Sequence, residues 1–153
     1  MGEQTYISDD LRNLVGKELD RSVHEIEKGM IRRLAEAALD DNPLYRDGEA
    51  SRASRYGGMI APPGIVWPII PPKMDWMATR YEFPLERLLN AGFEQELFLP
   101  IRPGDVLTGV LRLADVEEKR GRVGPMVFFH FEVVWTNQRD EKVMKLRQSF
   151  IRY

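Results

Sequence analysis

A nine-residue stretch near the end of the chain, VFFHFEVVW (127–135), constrains the fold more than any other feature. His130 and Glu132 lie between large apolar residues in this stretch. Successive side chains of a strand point to opposite faces, so this alternation predicts a strand with one buried face. The apolar positions recur at every second residue: Val127, Phe129, Phe131, Val133 and Trp135.

The rest of the second half is also strand-like. Three further segments, ELFLPI, DVLTGVLRLADVEEK and EKVMKLRQSFIRY, are rich in residues that favour strands. The intervening KRGRVGP and NQRDE are turn-like, which predicts an antiparallel meander. Helices first and long strands afterwards indicate an α+β fold with a curved antiparallel sheet. The length of 153 residues suits a single domain over residues 1–153.

The first half is predicted to be helical. Leu11–Leu19 is expected to form a short helix or turn, and Ser22 with Glu25 fits a capping box. The helix that starts there should end near Asp40, because Asn42-Pro43 stops it. Its predicted apolar face is Val23, Ile26, Met30, Leu34 and Ala38.

Two further helical segments are expected before the strands. Residues Asp47–Tyr56 could make one or two helical turns. Ile60–Tyr81 is apolar and rich in proline, which indicates a helix with proline-rich approaches or a long irregular loop. Arg102–Asp105 (RPGD) reads as a turn leading into a strand, without chemistry.

Composition excludes several classes of function. The net charge is −2, which does not suggest nucleic acid as a partner, and the absence of cysteine excludes disulfides and thiol nucleophiles. The acidic, polar start is unlike a signal peptide, and the longest apolar stretch, residues 59–72, contains five prolines, so no membrane span is expected. We therefore expect a soluble, cytoplasmic protein. His24 and His130 have no partner at ligand spacing, so no metal site is expected.

Several pieces of the chain carry a family resemblance in a consistent order. They are AALDDNPLYRD, ASRYGGMIAPP, PIRPGDVL and GPMVFFHFEV. From Leu14 to Arg152 the chain resembles the MaoC-like dehydratases, and specifically the amino-terminal MaoC-like domain of two-domain and heterodimeric hydroxyacyl-thioester dehydratases. The resemblance implies a hot-dog fold, in which an antiparallel sheet wraps a long helix and two such units lie side by side.

The resemblance also implies a site and shows how this chain departs from it. Catalytic members carry an aspartate, then Asn-Pro, then a histidine, and these residues activate water; a later His-Gly pair offers a backbone N–H to the thioester enolate. Carried over, the aspartate is Asp40 and the histidine position is Tyr45. The His-Gly position is Pro62-Pro63. Tyrosine is a poor base at neutral pH, and proline has no backbone N–H.

Each candidate residue also has an ordinary structural interpretation. Asp40 could orient water, or it could end the helix. Tyr45 could donate to a thioester carbonyl or simply pack, and Gly57-Gly58 could admit a pantetheine arm or turn the chain. Arginines near the motif could meet coenzyme A phosphates or form a solvated face. The predicted substrate-binding residues are Asn42, Tyr56, Gly57, Gly58, Trp67 and Trp76, and the nearby arginines are Arg46, Arg52 and Arg55.

Three functions remain open from the sequence. The first is a subunit of a hydro-lyase, an enoyl-CoA hydratase or 3-hydroxyacyl dehydratase of fatty acid metabolism, that binds the acyl chain beside a second hot-dog unit carrying the Asp/His chemistry. The second is a self-sufficient homodimeric hydratase using Asp40 with Tyr45. The third is a non-enzymatic acyl-CoA-binding module. All three take an acyl thioester of coenzyme A or a carrier protein as ligand, without a cofactor, and a dimer or larger assembly is expected.

Overall fold

Five strands form one antiparallel sheet in the order β1-β3-β4-β5-β2. The computed structural model describes residues 5–66, 84–122 and 124–153. The strands are β1 Glu18–Glu25, β2 Leu88–Leu97, β3 Val106–Gly121, β4 Gly124–Thr136 and β5 Lys142–Arg152. The helices are α1 Asp9–Arg12, α2 Lys28–Ala37 and α3 Glu49–Ala53, with 3₁₀ turns at Pro43–Tyr45 and Pro63–Val66.

The predicted meander and its buried face are confirmed. Strands β3, β4 and β5 follow one another in the chain and pair as antiparallel neighbours. The alternating apolar side chains of β4 are each at most 2% exposed, whereas His130 and Glu132 point to the other face. A bulge at Ala114 on β3 moves the buried positions from Leu113 to Val116. The core therefore lies on one side of the sheet.

The predicted helix start at Ser22 is wrong. Residues Glu18–Glu25 form β1, in which Ser22 pairs with Gly109 of β3. The backbone hydrogen bonds of this ladder replace those that a capping box would make, so tertiary pairing overrides the local pattern. Helix α2 begins only at Lys28, and its fully buried residues are Ile31 and Ala35.

Helical turns within Asp47–Tyr56 are confirmed by α3. For Ile60–Tyr81, a helix or an irregular loop is predicted. Its described part contains the 3₁₀ turn Pro63–Val66, and residues 67–81 lie outside the described residues. The turn at Arg102–Asp105 is confirmed, with the Arg102 backbone N–H donating to the Asp105 carboxylate at 2.8 Å.

One chain segment crosses from an edge of the sheet to an interior strand. Strand β2 lies at one edge beside β5, and β3 lies between β1 and β4 near the opposite edge. Residues 98–105 connect β2 to β3, with Ile101 buried among core residues. This crossover passes the segment before the second 3₁₀ turn, where the Ala61 N–H donates to the Ile101 carbonyl at 2.8 Å.

Candidate functional site

The end of α2 fixes the backbone of Asp40. The N–H of Asp40 donates to the carbonyl of Ala35 at 2.8 Å, and the N–H of Leu39 donates to Glu36 at 3.1 Å. These two bonds form a Schellman motif, which normally carries glycine at its left-handed position. Here Leu39 occupies that position with a φ of 53°. Asp40 therefore leaves the helix in a defined direction, at the cost of an unfavourable leucine conformation.

Asp40 and Asn42 each stabilise the turn that follows. The Asp40 carboxylate accepts the backbone N–H of Asn42 at 2.9 Å. The Asn42 side-chain oxygen accepts the N–H of Leu44 at 3.0 Å and caps the 3₁₀ turn Pro43–Tyr45. These are the local bonds that Asp and Asn side chains make in turns, so the structural interpretation of both residues is supported.

Tyr45 ends this turn as a half-buried side chain. Burial raises the pKa of its phenol, and the charge of Asp40 raises that pKa further. The hydrogen bond with Asn42 lowers the pKa and partly offsets these two effects. The phenol therefore stays protonated at neutral pH and can donate a hydrogen bond, but it cannot act as a proton acceptor of histidine strength.

Pro62 and Pro63 lie beside this turn. The Ile60 N–H donates to the Leu44 carbonyl at 3.0 Å, which ties the segment before the prolines to the turn that carries Tyr45. Neither proline has an N–H, so this position offers no amide donor at the two residues where the resemblance places one. The Pro63 carbonyl is occupied by the Gln95 side-chain amide of β2 at 2.6 Å.

These residues border a cavity of about 420 Å³. Tyr45, Tyr56, Pro62 and Pro63 line it together. A cavity of a few hundred Å³ with mainly apolar walls and a few polar groups is typical of a small-molecule site. The remaining lining residues are Leu44, Arg55, Ile60, Ala61, Leu97, Phe98, Leu99, Pro100 and Ile101.

The other predicted site residues lie elsewhere. Asp40 and Asn42 support the turn but do not line the cavity, and Gly57 and Gly58 do not line it either. Gly57 has a φ of 66°, which requires glycine, and its N–H donates to Ser54 at 2.9 Å within a turn. The two predicted tryptophans, Trp67 and Trp76, lie outside the described residues.

Arg55 and Tyr56 form a pair at the cavity. The Arg55 guanidinium donates to the Tyr56 hydroxyl at 2.6 Å, and its central carbon lies 4.8 Å from the centre of the Tyr56 ring. Arg55 is exposed and Tyr56 is half-buried, so the pair brings a cation to the edge of a largely apolar space.

Sequence reasoning missed one wall of the cavity. Residues Leu97–Ile101, from the end of β2 and the start of the crossover, face the motif residues across the space. Their only signal in the sequence is the apolar run ELFLPI, which predicts a strand. That prediction is wrong, because β2 ends at Leu97 and the rest of the run belongs to the crossover. Their contribution depends on the crossover between β2 and β3, and that topology is set by long-range pairing.

A second cavity, of about 520 Å³, borders β2, β4 and β5 and contains none of the predicted site residues. There His130 Nδ1 lies 2.8 Å from the Ser149 hydroxyl. Within residues 5–66, 84–122 and 124–153, no cluster of three or more His, Asp or Glu side chains could hold a metal ion. No helix in the described part of the chain is long and apolar enough to cross a membrane.

Curated relatives share much of this chain. A UPF0336 protein of Streptomyces coelicolor is 29% identical over 136 residues, which cover 82% of this chain and 91% of the relative. The alpha subunit of 3-oxo-4,17-pregnadiene-20-carboxyl-CoA hydratase from Mycobacterium tuberculosis is 28% identical over 145 residues. That match covers 84% of this chain and 45% of the subunit.

Solved structures have the same fold. A MaoC-like dehydratase from Rhodospirillum rubrum superposes with a TM-score of 0.69 at 27% identity, covering 94% of this chain and 95% of that one. The ChsH1-ChsH2 complex from Mycobacterium tuberculosis gives a TM-score of 0.73 at 23% identity, covering 89% of this chain and 84% of the matched chain. The predicted hot-dog α+β fold is therefore confirmed. Residues 13–146 match the family described as FAS1-like, dehydratase domain region. The chain thus belongs to this dehydratase-domain family and has the hot-dog fold of the MaoC-like dehydratases.

Proposed function

We propose that this chain is the acyl-binding half of a paired hot-dog hydratase or dehydratase acting on acyl thioesters. A second hot-dog unit supplies the aspartate and histidine that activate water. The observation that carries this proposal is the cavity wall itself, where Tyr45 and Pro62-Pro63 occupy the positions that the resemblance assigns to the base and the oxyanion donor.

The state of Tyr45 argues against independent catalysis. A hydratase needs a group that accepts a proton from water near neutral pH. Burial and the nearby Asp40 carboxylate both raise the pKa of the Tyr45 phenol, which moves it away from that requirement. Asp40 itself is engaged with the Asn42 backbone at 2.9 Å. This arrangement supports a binding role over the self-sufficient enzyme.

The prolines support the same conclusion from a separate place. Removing one oxyanion-hole donor typically lowers kcat by about 10² to 10³. Pro62 and Pro63 have no N–H to offer, so an enolate at this wall would lack that stabilisation. The apolar lining, with Ile60 and Leu97 among its residues, suits the acyl part of a thioester instead.

Strand β2 offers a surface for the second unit. It is an edge strand, and large apolar side chains cluster on it and just after it. Phe93 pairs across from buried Gln148, and Leu97 pairs across from buried Met144. Cross-strand partners share a face, so Phe93 and Leu97 both face the core side of the sheet. Each is nevertheless about half exposed. An exposed apolar edge favours pairing with another chain. The exposed set is Leu88, Leu89, Phe93, Leu97, Phe98 and Leu99.

Similar proteins support a paired arrangement by analogy. The Mycobacterium tuberculosis relative is named as the alpha subunit of a hydratase, and this chain covers 45% of its length. Two of the structures with the same fold are complexes of two different chains, ChsH1-ChsH2 and HadBC.

The test is hydration of trans-2-enoyl-CoA esters, followed at the absorbance of the enoyl thioester. The chain alone should be inactive, and a hot-dog partner carrying Asp, Asn-Pro and His should restore turnover. Turnover by the chain alone would favour the homodimeric enzyme. Thioester binding without turnover in any pairing would favour a non-enzymatic binding module.

A further inference from the structure

Two of the three arginines near the cavity already form ion pairs with carboxylates. Arg46 Nη2 lies 2.7 Å from the Asp41 carboxylate. Arg52 Nη2 lies 3.3 Å from Asp47, a carboxylate that also binds Lys28 at 2.6 Å. Neither Arg46 nor Arg52 lines the cavity. Both therefore behave as the solvated surface charges that the sequence also allowed.

Arg55 differs in its partner and in its position. No carboxylate in the described part of the chain lies within ion-pair distance of it. Its guanidinium donates instead to the neutral hydroxyl of Tyr56 at 2.6 Å and lies over that ring. A guanidinium has five N–H donors, so most of them are available to a ligand. The contact with Tyr56 also reduces the freedom that an exposed arginine would lose on binding.

The surroundings of Arg55 make it the charged group of an apolar cavity. The lining includes apolar residues from three chain segments, together with the phenols of Tyr45 and Tyr56. A ligand that fits this space has an apolar body and an oxyanion that meets the guanidinium.

We propose that Arg55, positioned by Tyr56, binds an oxyanionic group of the ligand at the edge of the cavity. The proposal rests on the proposed function for the nature of the ligand, an acyl thioester. The oxyanion could be a phosphate of the pantetheine arm or a carboxylate carried by the acyl chain. Arginine recognises both through the same paired hydrogen bonds.

The test is a set of binding titrations with three probes. Decanoyl-CoA carries phosphates, the N-acetylcysteamine monothioester of decanedioic acid carries a carboxylate on its acyl chain, and decanoyl-N-acetylcysteamine carries neither. Arg55→Gln should weaken binding of at least one anionic probe by about tenfold or more, since hydrogen bonds to charged groups contribute that much. It should leave the affinity for the neutral thioester unchanged. Arg52→Gln is the matched control and should change none of the three.

The pattern of losses identifies the source of the oxyanion. A loss for decanoyl-CoA alone assigns the phosphate, and a loss for the decanedioic monothioester alone assigns a carboxylate on the acyl chain. The inference is overturned if Arg55→Gln changes all probes equally or none, or if the wild-type chain binds no anionic probe. Turnover with a catalytic partner is measured separately. If a pairing gives turnover but Arg55→Gln changes no affinity, this inference alone is wrong. If Arg55→Gln changes affinity but no pairing gives turnover, the proposed function alone is wrong.

Discussion

The carboxylate of Asp40 accepts the backbone N–H of Asn42 at 2.9 Å. Asp40, where the resemblance places the catalytic aspartate, thus stabilises the turn that brings Tyr45 to the cavity. The same carboxylate raises the pKa of the Tyr45 phenol through its charge. In the proposed function, Asp40 stabilises this turn and Tyr45 contributes to the wall that binds the acyl group.

Asp40→Ala should lower the free energy of unfolding by about 1 kcal/mol, because the N–H of Asn42 loses its acceptor. Asp40→Asn should cost much less, since the amide oxygen can still accept. Chemical denaturation of the three proteins measures both values. Turnover of the paired assembly should survive Asp40→Asn. If Asp40→Asn abolished that turnover, Asp40 would be catalytic and the binding role assigned to this chain would be wrong.

Tyr45→His should not create a hydratase in the chain alone. The histidine would supply a base, but Pro62 and Pro63 would still provide no N–H for the oxyanion. Hydration assays on the wild type and the variant should both stay at background. Clear turnover by the single variant would mean that another group supplies the oxyanion donor.

Tyr45 should make stability depend on alkaline pH. Its pKa in the folded state is raised, so the unfolded chain ionises first as the pH passes about 10. The stabilising contribution of the neutral phenol is complete below that pH, and it is lost as the pH rises through the folded-state pKa. Urea denaturation from pH 8 to pH 11 should show a steeper fall for the wild type than for Tyr45→Phe. Parallel curves would contradict the assignment.

Phe93→Glu should abolish association with the second unit. The side chain is 56% exposed on edge strand β2, so the free energy of unfolding of the chain itself should change by no more than about 0.5 kcal/mol. Analytical ultracentrifugation with and without the partner measures the association. Val23→Glu is the matched control, since Val23 is 61% exposed on β1 at the opposite edge. Equal loss in both variants would place the interface elsewhere.

Gly109→Ala should lower the free energy of unfolding by about 1–3 kcal/mol or more, because an extra methyl group overpacks the core. Gly109 pairs across from Trp135, whose ring covers it so closely that a Cβ would overlap the ring carbon Cζ3. Thermal or chemical denaturation measures the loss. The same change should cost less in a Trp135→Leu background, where the clash is removed. An unchanged cost there would show that backbone preference, rather than the tryptophan, requires glycine.

Strands β3, β4 and β5 could be predicted because their signal is local, whereas β2 could not, since the predicted run ELFLPI lies mostly beyond it. The alternation along β4 directly encodes which face is buried, and the turns between β3, β4 and β5 are short. Strand β1 could not be predicted in this way. Its sequence fits a capping box, and only the pairing of Ser22 with Gly109 decides in favour of a strand.

The candidate site shows the same difference between residues with a local signal and residues placed by long-range pairing. Tyr45 and the two prolines could be singled out because the resemblance covers the stretch that contains them, and the structure brings them to one cavity. The opposite wall, Leu97–Ile101, depends on the crossover from β2 to β3, which no local pattern specifies. In the sequence, Arg46, Arg52 and Arg55 all lie near the motif, and no local feature separates them. Only their partners distinguish Arg55, which pairs with Tyr56, from Arg46 and Arg52.

The most direct test of the central claim is the rate of trans-2-enoyl-CoA hydration by the purified chain, measured first alone and then with a hot-dog partner that carries the Asp, Asn-Pro and His motif. The account predicts background rates for the chain and for the partner separately, and turnover when they are combined. Turnover by the chain alone, lost in Asp40→Asn, would contradict it.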